Sequence, residues 1–513
     1  MSAREESFAA DAPPTRKAEI LIAYTEYTWW LMRWADNQLL CQLIIDHEGW
    51  PGAEDVANGC ETAVYQEWQS TPPCAQENTS ACEGVYLYLL NQSPAEKTVV
   101  VDLPPSQVWI SLTGCTPTSL ENLCPELPSL LLRGDEPLPN ESITTIHAIY
   151  NQQVIDCAAN TCIIPLNPTP IEGNVIEFWA DSTFGDTSQH FTARIRVVDS
   201  GASESPIGGG WYVDIISNQW RGNQVASCAD VWRVFPPVGG PPAWLTTPES
   251  PTLLASEEPY YFLAGRLISQ GLVDASGCNG GGLLTNDYAN ACGLELARPL
   301  VDEWQNRFDA TIIQAAQETN IPGQLMKNLF AQESQFWPGI FKDTKEFGLG
   351  QITENGAEPV LLWNQTFYNQ FCPLVLNETR CEVGYSQLST DEKATLRGAL
   401  ALKAKADCAD CPMGIDLTHA DFSIKLFAET IRANCEQVAQ IVYNASGKLG
   451  GEVSSYEDLW RLTVANYHAG AGCVSYAVHS AYNNNQPLVW SNISPYFTPP
   501  CQGVISYVEK ITR

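Results

Sequence analysis

The chain has 513 residues, more than a single hydrophobic core usually serves, so its length predicts a modular protein. Its 27 basic and 59 acidic side chains give a formal net charge of -32, which disfavours binding to nucleic acid and to anionic membrane surfaces. No apolar run approaches the roughly 18 residues of a transmembrane helix, so no transmembrane segment is expected. We interpret the acidity as favouring solubility outside the cell, the alternative being a specific cationic partner.

The first 19 residues are polar and aperiodic, which predicts a flexible tail or an arm that a partner orders. They lack the apolar segment of a signal peptide, so we expect an exported protein whose numbering begins after a removed leader, or one that uses another route. Asn-X-Ser/Thr triplets permit glycosylation without showing it. They occur at Asn78, Asn91, Asn140, Asn364, Asn377, Asn444 and Asn492.

Short apolar stretches broken by Pro, Gly, Asn and Cys fill residues 20 to 235. Those at 98–103, 108–112, 175–179 and 191–198 are typical of half-buried strands. They predict two all-β modules, at 20–140 and 141–236. The segment GNVIEFWADSTFGDTSQHFTARIRVVD in the second module loosely resembles immunoglobulin-like domains of bacterial surface proteins, which implies an Ig-like β-sandwich.

Tryptophans in this half are candidates for platforms that stack on sugars, although we expect them to pack in the cores of the modules. They are Trp29, Trp30, Trp34, Trp179, Trp211 and Trp220.

Residues 237–294 are predicted to connect the two halves, first as a Pro/Gly-rich linker at 236–251 and then as a disulfide-bonded segment. From 295 to 513 the apolar period is about 3.6 residues, which predicts a mainly α domain. We expect helices at 260–269, 299–318, 321–334, 390–406, 418–444, 456–468, 472–482 and 501–511.

Eighteen cysteines form an even set, and many occur in close pairs. Such spacing predicts local disulfides, which persist in oxidising compartments, so we expect a secreted or cell-envelope protein. Zinc is the alternative at Cys408-Ala-Asp-Cys411, but without a second such pair we expect a cystine there, no metal and no cofactor. The close pairs are Cys74 with Cys82, Cys115 with Cys124, Cys157 with Cys162, Cys278 with Cys292, and Cys372 with Cys381.

The distribution of the cysteines also predicts a bridge between the two halves. Nine cysteines precede residue 236 and seven follow residue 293, so both sets are odd if Cys278 pairs with Cys292. Full oxidation within one chain then requires a bridge from the first set to the second. Cys228 is the candidate on the N-terminal side, because it has no near neighbour in the sequence.

The segment from Asn320 to Ser334 predicts a helix that carries a functional carboxyl group. Asn320 is a suitable cap and Pro322 suits the first turn. Glu333 follows Leu329 by four residues and Phe330 by three, so it lies on their apolar face. A carboxyl group there is partly desolvated, which favours the protonated form that a general acid needs. The alternative is a Glu that only bonds to neighbouring structure.

Four elements appear in sequence order around this residue. They are Glu333-Ser334 within AQESQFWPGIF, Gly348-Leu349-Gly350-Gln351, Asn466-Tyr467-His468-Ala469-Gly470 and Tyr507-Val508. Together they resemble the Glu-Ser, Gly-Leu-Met-Gln, Ala-Tyr-Asn-Ala-Gly and Tyr-Val motifs of the soluble lytic transglycosylase catalytic domain, a lysozyme-like helical fold. Gly350 stands where the family has Met, and His468 where Asn is usual.

The resemblance implies cleavage of the β-1,4 bond between MurNAc and GlcNAc in peptidoglycan. Glu333 would protonate the glycosidic oxygen and then accept the proton of the muramoyl 6-hydroxyl group as that oxygen attacks C1, giving a 1,6-anhydro end. Tyr467 would orient Glu333, and the other residues would shape the saccharide groove. These other residues are Ser334, Gly348, Leu349, Gln351, His468 and Tyr507.

Two other functions stay open at this point. One is a non-catalytic surface or assembly glycoprotein that keeps the lysozyme-like fold as a binding module, with cell-surface or self-assembly partners. The other is hydrolysis of the lysozyme or chitinase kind, which normally needs a second carboxylate. The stretch between Gln351 and Tyr467 is rich in cysteine and predicts a cystine-stapled insertion, which we interpret as a structural elaboration in preference to a lid.

Overall fold

A computed structural model describes residues 15–47, 49–72, 74, 81–115, 123–201, 210–221, 227–340 and 345–513. The chain divides into two compact units. The first comprises the described residues up to Pro105 together with Glu136–Glu141 and Phe184–Asp186, and the second comprises the rest. β-sheets occupy the N-terminal part of the chain and helices dominate the C-terminal part, as the sequence predicted.

The first unit contains a three-stranded antiparallel sheet in the order β2-β1-β3. Its strands are β1 (Lys17–Arg33), β2 (Leu39–Ile45) and β3 (Val85–Asp102), and its helices are α1 (Ala53–Gly59) and α2 (Thr62–Ser70). Strand β1 thus includes the last residues of the predicted tail, whereas residues 1–14 and the triplet at Asn78 lie outside the described residues. Trp29 packs in the core of this unit, as expected.

Two antiparallel sheets begin the second unit and share one core. One has the order β4-β6-β9 and the other β5-β12-β11-β10-β7-β8. The strands are β4 (Gln107–Thr113), β5 (Leu123–Cys124), β6 (Ser129–Asp135), β7 (Ile143–Tyr150), β8 (Gln153–Cys157), β9 (Thr161–Pro165), β10 (Asn174–Ser182), β11 (Phe191–Asp199) and β12 (Trp211–Ile216).

Strands on both sides of residue 140 belong to this core, although the sequence pattern predicted a module boundary there. Val108 and Ile110 of β4 alternate inward and pack in the same cluster as Phe178 of β10, because every second side chain of a strand faces the same side. Trp220 is also in this core, whereas Trp179 lies on the outer face, stacked between His147 and His190.

The helical region of the second unit has a single large core. Its helices are α3 (Ser227–Trp232), α4 (Tyr261–Ser269), α5 (Ala291–Asn306), α6 (Asp309–Thr319), α7 (Gly323–Glu333), α8 (Glu358–Trp363), α9 (Gln365–Phe371), α10 (Glu378–Cys381), α11 (Thr390–Ala404), α12 (Leu417–Ser446), α13 (Gly450–Val453), α14 (Tyr456–Ala469), α15 (Ala471–Asn483), α16 (Trp490–Ile493) and α17 (Gly503–Ile511). A hairpin of β13 (Glu346–Phe347) and β14 (Ile352–Thr353) lies among them.

The central element is α12, a helix of 30 residues that packs against α3, α6, α8, α14 and α15. Asp416 caps its start by accepting bonds from the amides of Thr418 and His419, and Gly447 ends it at a positive φ of 71°. This helix lies in the cysteine-rich stretch that was interpreted as an insertion, so much of that stretch belongs to the core.

The single helix predicted at 299–318 is wrong in two respects. It begins earlier, at Ala291, because the side chain of Asn290 accepts a bond from the Gly293 amide and caps the helix there. It also breaks after Asn306, and α6 starts at Asp309. Pro299 lies inside α5 and not at its first turn.

Residues 236–251, predicted as a linker, contribute to the helical core. Trp244 and Leu245 are 4% and 3% exposed and pack within it. Thr246 and Thr247 bond to the start of α7: the carbonyl group of Thr246 accepts from the amide of Gln324, and the Thr247 hydroxyl group accepts from that of Gly323. This segment therefore helps to place the helix that ends at Glu333.

Nine disulfides join the cysteines in pairs, and every close pair predicted from the sequence is confirmed. Cys408 and Cys411 also form a disulfide. The predicted long-range bridge is Cys228–Cys435, between α3 and α12. The Trp232 indole group donates to the Cys435 carbonyl oxygen at 3.0 Å beside this bridge. The remaining pairs are Cys41–Cys60 and Cys473–Cys501.

Within the described ranges, no helix is both long enough and apolar enough to cross a membrane. Among the triplets for glycosylation, Asn364 is buried and its side-chain amide donates to Glu429, so the folded chain does not present it to solvent.

Candidate active site

Glu333 is the last residue of α7, and the rest of this helix is anchored in the core. Leu325, Leu329 and Phe330 are fully buried, as their spacing predicted. The carboxyl-bearing side chain of Glu333 is 16% exposed, so it lies at the rim of this core and reaches solvent. A partly desolvated carboxyl group in this position can exchange a proton with a bound molecule.

A buried ion pair fixes α7 at its middle. The ammonium group of Lys327 is completely buried and donates to Asp309 at 2.6 Å and to the Gln305 carbonyl group at 3.0 Å. Burial raises the pKa of Asp309 to about 6, and the hydrogen bond from Lys327 opposes that shift. The acceptors of Lys327 thus lie at the break between α5 and α6.

Ser334 connects the end of α7 to the next sequence element. Its side chain is fully buried, and its hydroxyl group donates to the carbonyl oxygen of Leu349 at 2.7 Å. Ser334 therefore positions the loop beside Glu333, and its burial removes it from direct contact with a saccharide. This differs from the substrate-binding role that the resemblance implied.

Residues Gly348 to Gln351 form the loop of the β13–β14 hairpin. Gly348 and Gln351 both have positive φ, 69° and 53°. The Leu349 amide donates to the Ser423 hydroxyl group of α12 at 3.1 Å, which ties the loop to the central helix. The side-chain nitrogen of Gln351 donates to the Gly348 carbonyl group at 2.8 Å.

The side-chain oxygen of Gln351 is buried and accepts no hydrogen bond within the described part of the chain. A buried acceptor without a donor costs about 1–3 kcal/mol. Like the hydroxyl group of Ser334, this oxygen has no open surface, so the saccharide contact that the resemblance implied for Gln351 stays a prediction.

Phe427 of α12 explains why Gly350 replaces the larger residue of the resembling motif. A Cβ atom built on Gly350 would lie 2.2 Å from the Phe427 ring. That ring also packs edge-on against Tyr467, with centroids 5.1 Å apart. The space for a side chain at position 350 is therefore occupied by a residue from α12, and the motif alone could not show this.

We expect Gly350→Ala to lower the free energy of unfolding by about 1–3 kcal/mol, since the ring has no room to move away from the new methyl group. Chemical denaturation measures this change. The matched control is Gly398→Ala inside α11, where a Cβ meets nothing within 4 Å and helix propensity should stabilise by about 0.5–1 kcal/mol. Equal effects at the two glycines would contradict the steric explanation.

Two tyrosines from distant helices approach Glu333, and their roles differ from the expectation. The hydroxyl group of Tyr507, on α17, donates a hydrogen bond to Glu333 Oε1. The hydroxyl group of Tyr467, on α14, donates instead to the carbonyl oxygen of Gly350. Tyr507 is thus the residue that orients the carboxyl group, and Tyr467 holds the loop. The resemblance assigned the orienting role to Tyr467 and a place in the saccharide groove to Tyr507, because it carries no information on how α17 packs.

Both tyrosines are held in the protonated form. Burial, followed by the charge of Glu333, raises the pKa of each hydroxyl group well above its ordinary value. The charge of Glu346 in β13 adds to this effect at Tyr467. Tyr507 is therefore a hydrogen-bond donor to Glu333 at neutral pH.

His468 places a second titratable side chain at the carboxyl group. Its Nδ1 lies 3.9 Å from Glu333 Oε1, and its ring stacks on Tyr507 with centroids 3.8 Å apart. The imidazole is 40% exposed, so it borders the open side of the site. A protonated His468 would favour the ionised form of Glu333, an interaction that Asn at this position does not provide.

A disulfide fixes the helix that carries Tyr507. Cys473 in α15 pairs with Cys501, two residues before α17 begins. Behind the site, the buried amide group of Asn466 donates to Asn434 and Gln437, each at 2.7 Å, and joins α14 to α12. The residues that make these contacts support the site, as do Phe427 and Ser423. The motifs alone did not reveal them.

The geometry therefore brings together Glu333, the Gly348–Gln351 loop, Tyr467, His468 and Tyr507, which lie up to 174 residues apart in sequence. No group of His, Cys, Asp and Glu side chains suited to a metal ion occurs among the described residues. Comparison with protein-family models and with curated proteins gave no match to this chain.

Proposed function

We propose that the helical region is a lysozyme-like domain that cleaves the β-1,4 glycosidic bond between MurNAc and GlcNAc in peptidoglycan. The observation that carries this proposal is the partly buried Glu333 carboxyl group, bonded by Tyr507 and bordered by His468. Three segments far apart in sequence converge on it, and each belongs to one of the motifs that resemble the lytic transglycosylase pattern.

In this proposal Glu333 acts first as an acid and then as a base. It gives its proton to the glycosidic oxygen. The bond between this oxygen and C1 then breaks, and the leaving sugar keeps the proton as a hydroxyl group. The muramoyl 6-oxygen then bonds to C1, and Glu333 accepts the proton that this hydroxyl group loses. Tyr507 holds Oε1 in place through both steps, because its hydroxyl group stays protonated.

The setting proposed for this reaction is outside the cytoplasm. Nine disulfides stabilise the chain, and structural disulfides persist in oxidising compartments. We further propose that the two sheets of the second unit form an immunoglobulin-like module that spaces or targets the enzyme at the cell wall.

Hydrolysis is the second candidate, and one observation favours it. The charge of Glu346 contributes to the raised pKa of the Tyr467 hydroxyl group, which makes Glu346 the candidate for a second carboxylate. In hydrolases of this kind a second carboxylate activates water or stabilises the intermediate. If Glu346 serves in this way, the product would carry a reducing end and no anhydro ring.

Mass spectrometry of peptidoglycan sacculi digested by the purified protein distinguishes these functions. We expect muropeptides with 1,6-anhydro-MurNAc ends. Reducing ends alone would establish hydrolysis. Absence of any cleavage, with sacculi still bound, would support the non-catalytic glycoprotein in place of an enzyme.

A further inference from the structure

An open groove of about 450 Å³ lies on the β4-β6-β9 sheet of the second unit. It is on the face of this sheet that points away from the core. Strands β4 and β6 form its floor, with Trp109 directly opposite Arg133 and Ser111 opposite Leu131 in the antiparallel register. Arg221 forms one wall. Its volume is in the range of small-ligand sites, roughly 300–1,000 Å³.

The backbone fixes Arg221 beside this floor. The Ile110 amide donates to the Gln219 carbonyl group at 2.9 Å, and the Arg221 amide donates to the Ile110 carbonyl group at 2.8 Å. These bonds add residues 219–221 as a short parallel edge to β4. The guanidinium group then lies 3.4 Å from the centre of the Trp109 ring. It is therefore held by stacking before any ligand arrives.

The guanidinium groups of Arg221 and Arg133 lack a carboxylate partner. Neither forms an ion pair within the part of the chain that the structure describes, although 59 acidic residues are present. Among the residues that the structure describes, the side chain of Arg221 forms one hydrogen bond, from Nη1 to the Trp220 carbonyl group. Partial desolvation lowers the pKa of Arg221, and no acidic group offsets that effect. Asp135 is turned towards the Trp109 indole nitrogen, 3.5 Å away.

We propose that this groove binds the terminal carboxylate of a short peptide. Arg221 and Arg133 are the residues that hold this carboxylate. A planar guanidinium group donates two parallel hydrogen bonds to a carboxylate, and stacking on Trp109 fixes its plane. Leu131 supplies apolar surface for the last side chain of the peptide, and Ser111 supplies a hydroxyl group for its backbone. This function is separate from the glycan cleavage proposed above, because the groove is built from the strands.

Saturation-transfer NMR on the full chain tests this inference with N-acetyl-alanyl-alanine as the probe. We expect binding with a Kd of about 1 mM. The same peptide with a C-terminal amide should show at least about tenfold weaker binding, because it lacks the charge that the guanidinium groups recognise. Arg221→Gln should weaken binding of the acid by a similar factor, and Arg221→Lys by less, since the charge remains while the planar fork is lost.

The matched control is Arg298→Gln, which makes the same charge change on an exposed position of α5 and should leave binding unchanged. Thermal unfolding of each variant shows that it is folded. Equal binding of the acid and the amide, or equal binding by wild type and Arg221→Gln, would overturn the proposal. Displacement of the peptide by an equimolar amount of inorganic phosphate would also overturn it, because the groove would then be a general anion site.

Discussion

Peptidoglycan cleavage is expected to fall by at least about 10³-fold in Glu333→Gln, because an amide can neither give a proton to the glycosidic oxygen nor accept one from the 6-hydroxyl group. The variant should fold normally. Glu333 is at the rim of the core, and its amide analogue can still accept the hydrogen bond of Tyr507. Release of soluble muropeptides from sacculi measures the rate, and co-sedimentation with sacculi measures binding, which we expect to be retained.

The matched control for this variant is Glu354→Gln, the same chemical change at an exposed position just after β14. It should retain wild-type cleavage. Glu346→Gln provides a further comparison, since a loss as large as that at Glu333 would favour the hydrolytic route. If Glu333→Gln keeps half of the wild-type activity, Glu333 is not the acid and the site assignment is wrong.

Removal of the Cys228–Cys435 bridge is expected to cause the largest loss of stability. The bridge closes a separation of 207 residues, for which the chain-entropy model gives a stabilisation of about 5 kcal/mol. Both cysteines are fully buried, so Cys228→Ala combined with Cys435→Ala avoids placing new hydroxyl groups in the core. We expect the free energy of unfolding in guanidinium chloride to drop by about this amount.

A short bridge in the same region serves as the control. Cys408–Cys411 spans three residues, and the same model gives only about 1.5 kcal/mol for it. The corresponding double alanine variant should therefore be much more stable than the Cys228 and Cys435 variant. Equal losses would show that local packing, and not restriction of the unfolded chain, determines the contribution of these bridges.

Local patterns in the sequence were sufficient for most of the secondary structure. Alternation of apolar and polar residues identified the strand at Phe191–Asp199, and a period near 3.6 identified helices at Thr390–Ala404 and Tyr456–Ala469. Counting cysteines predicted a bridge from the N-terminal set to the C-terminal set, and it pointed to Cys228. Because α3 packs in the helical core, this bridge lies within the helical region, whereas the sequence had predicted that it would tie the strands to that region. The partner of Cys228, which is Cys435, could not be predicted, because only the packing of α3 on α12 brings the two together.

Prediction of the site failed where side chains meet across the fold. The motifs placed Glu333 and Tyr507 in the same region, but which tyrosine reaches the carboxyl group depends on how α17 packs. The buried pair of Lys327 and Asp309 was equally invisible, since charged residues usually signal a solvated helix face. A sequence pattern shows which face of a helix is apolar. It does not show which side chains of a neighbouring helix contact that face.

The contact between Gly350 and Phe427 has a consequence for how this site can change during evolution. A side chain at position 350 is compatible with the fold only if the residue at position 427 is small, because both would occupy one volume. The two positions, 77 residues apart, therefore have to change in a defined order, with the ring lost before the side chain at 350 is gained. A variant chain with Met at the first position should therefore need a smaller residue than Phe at the second.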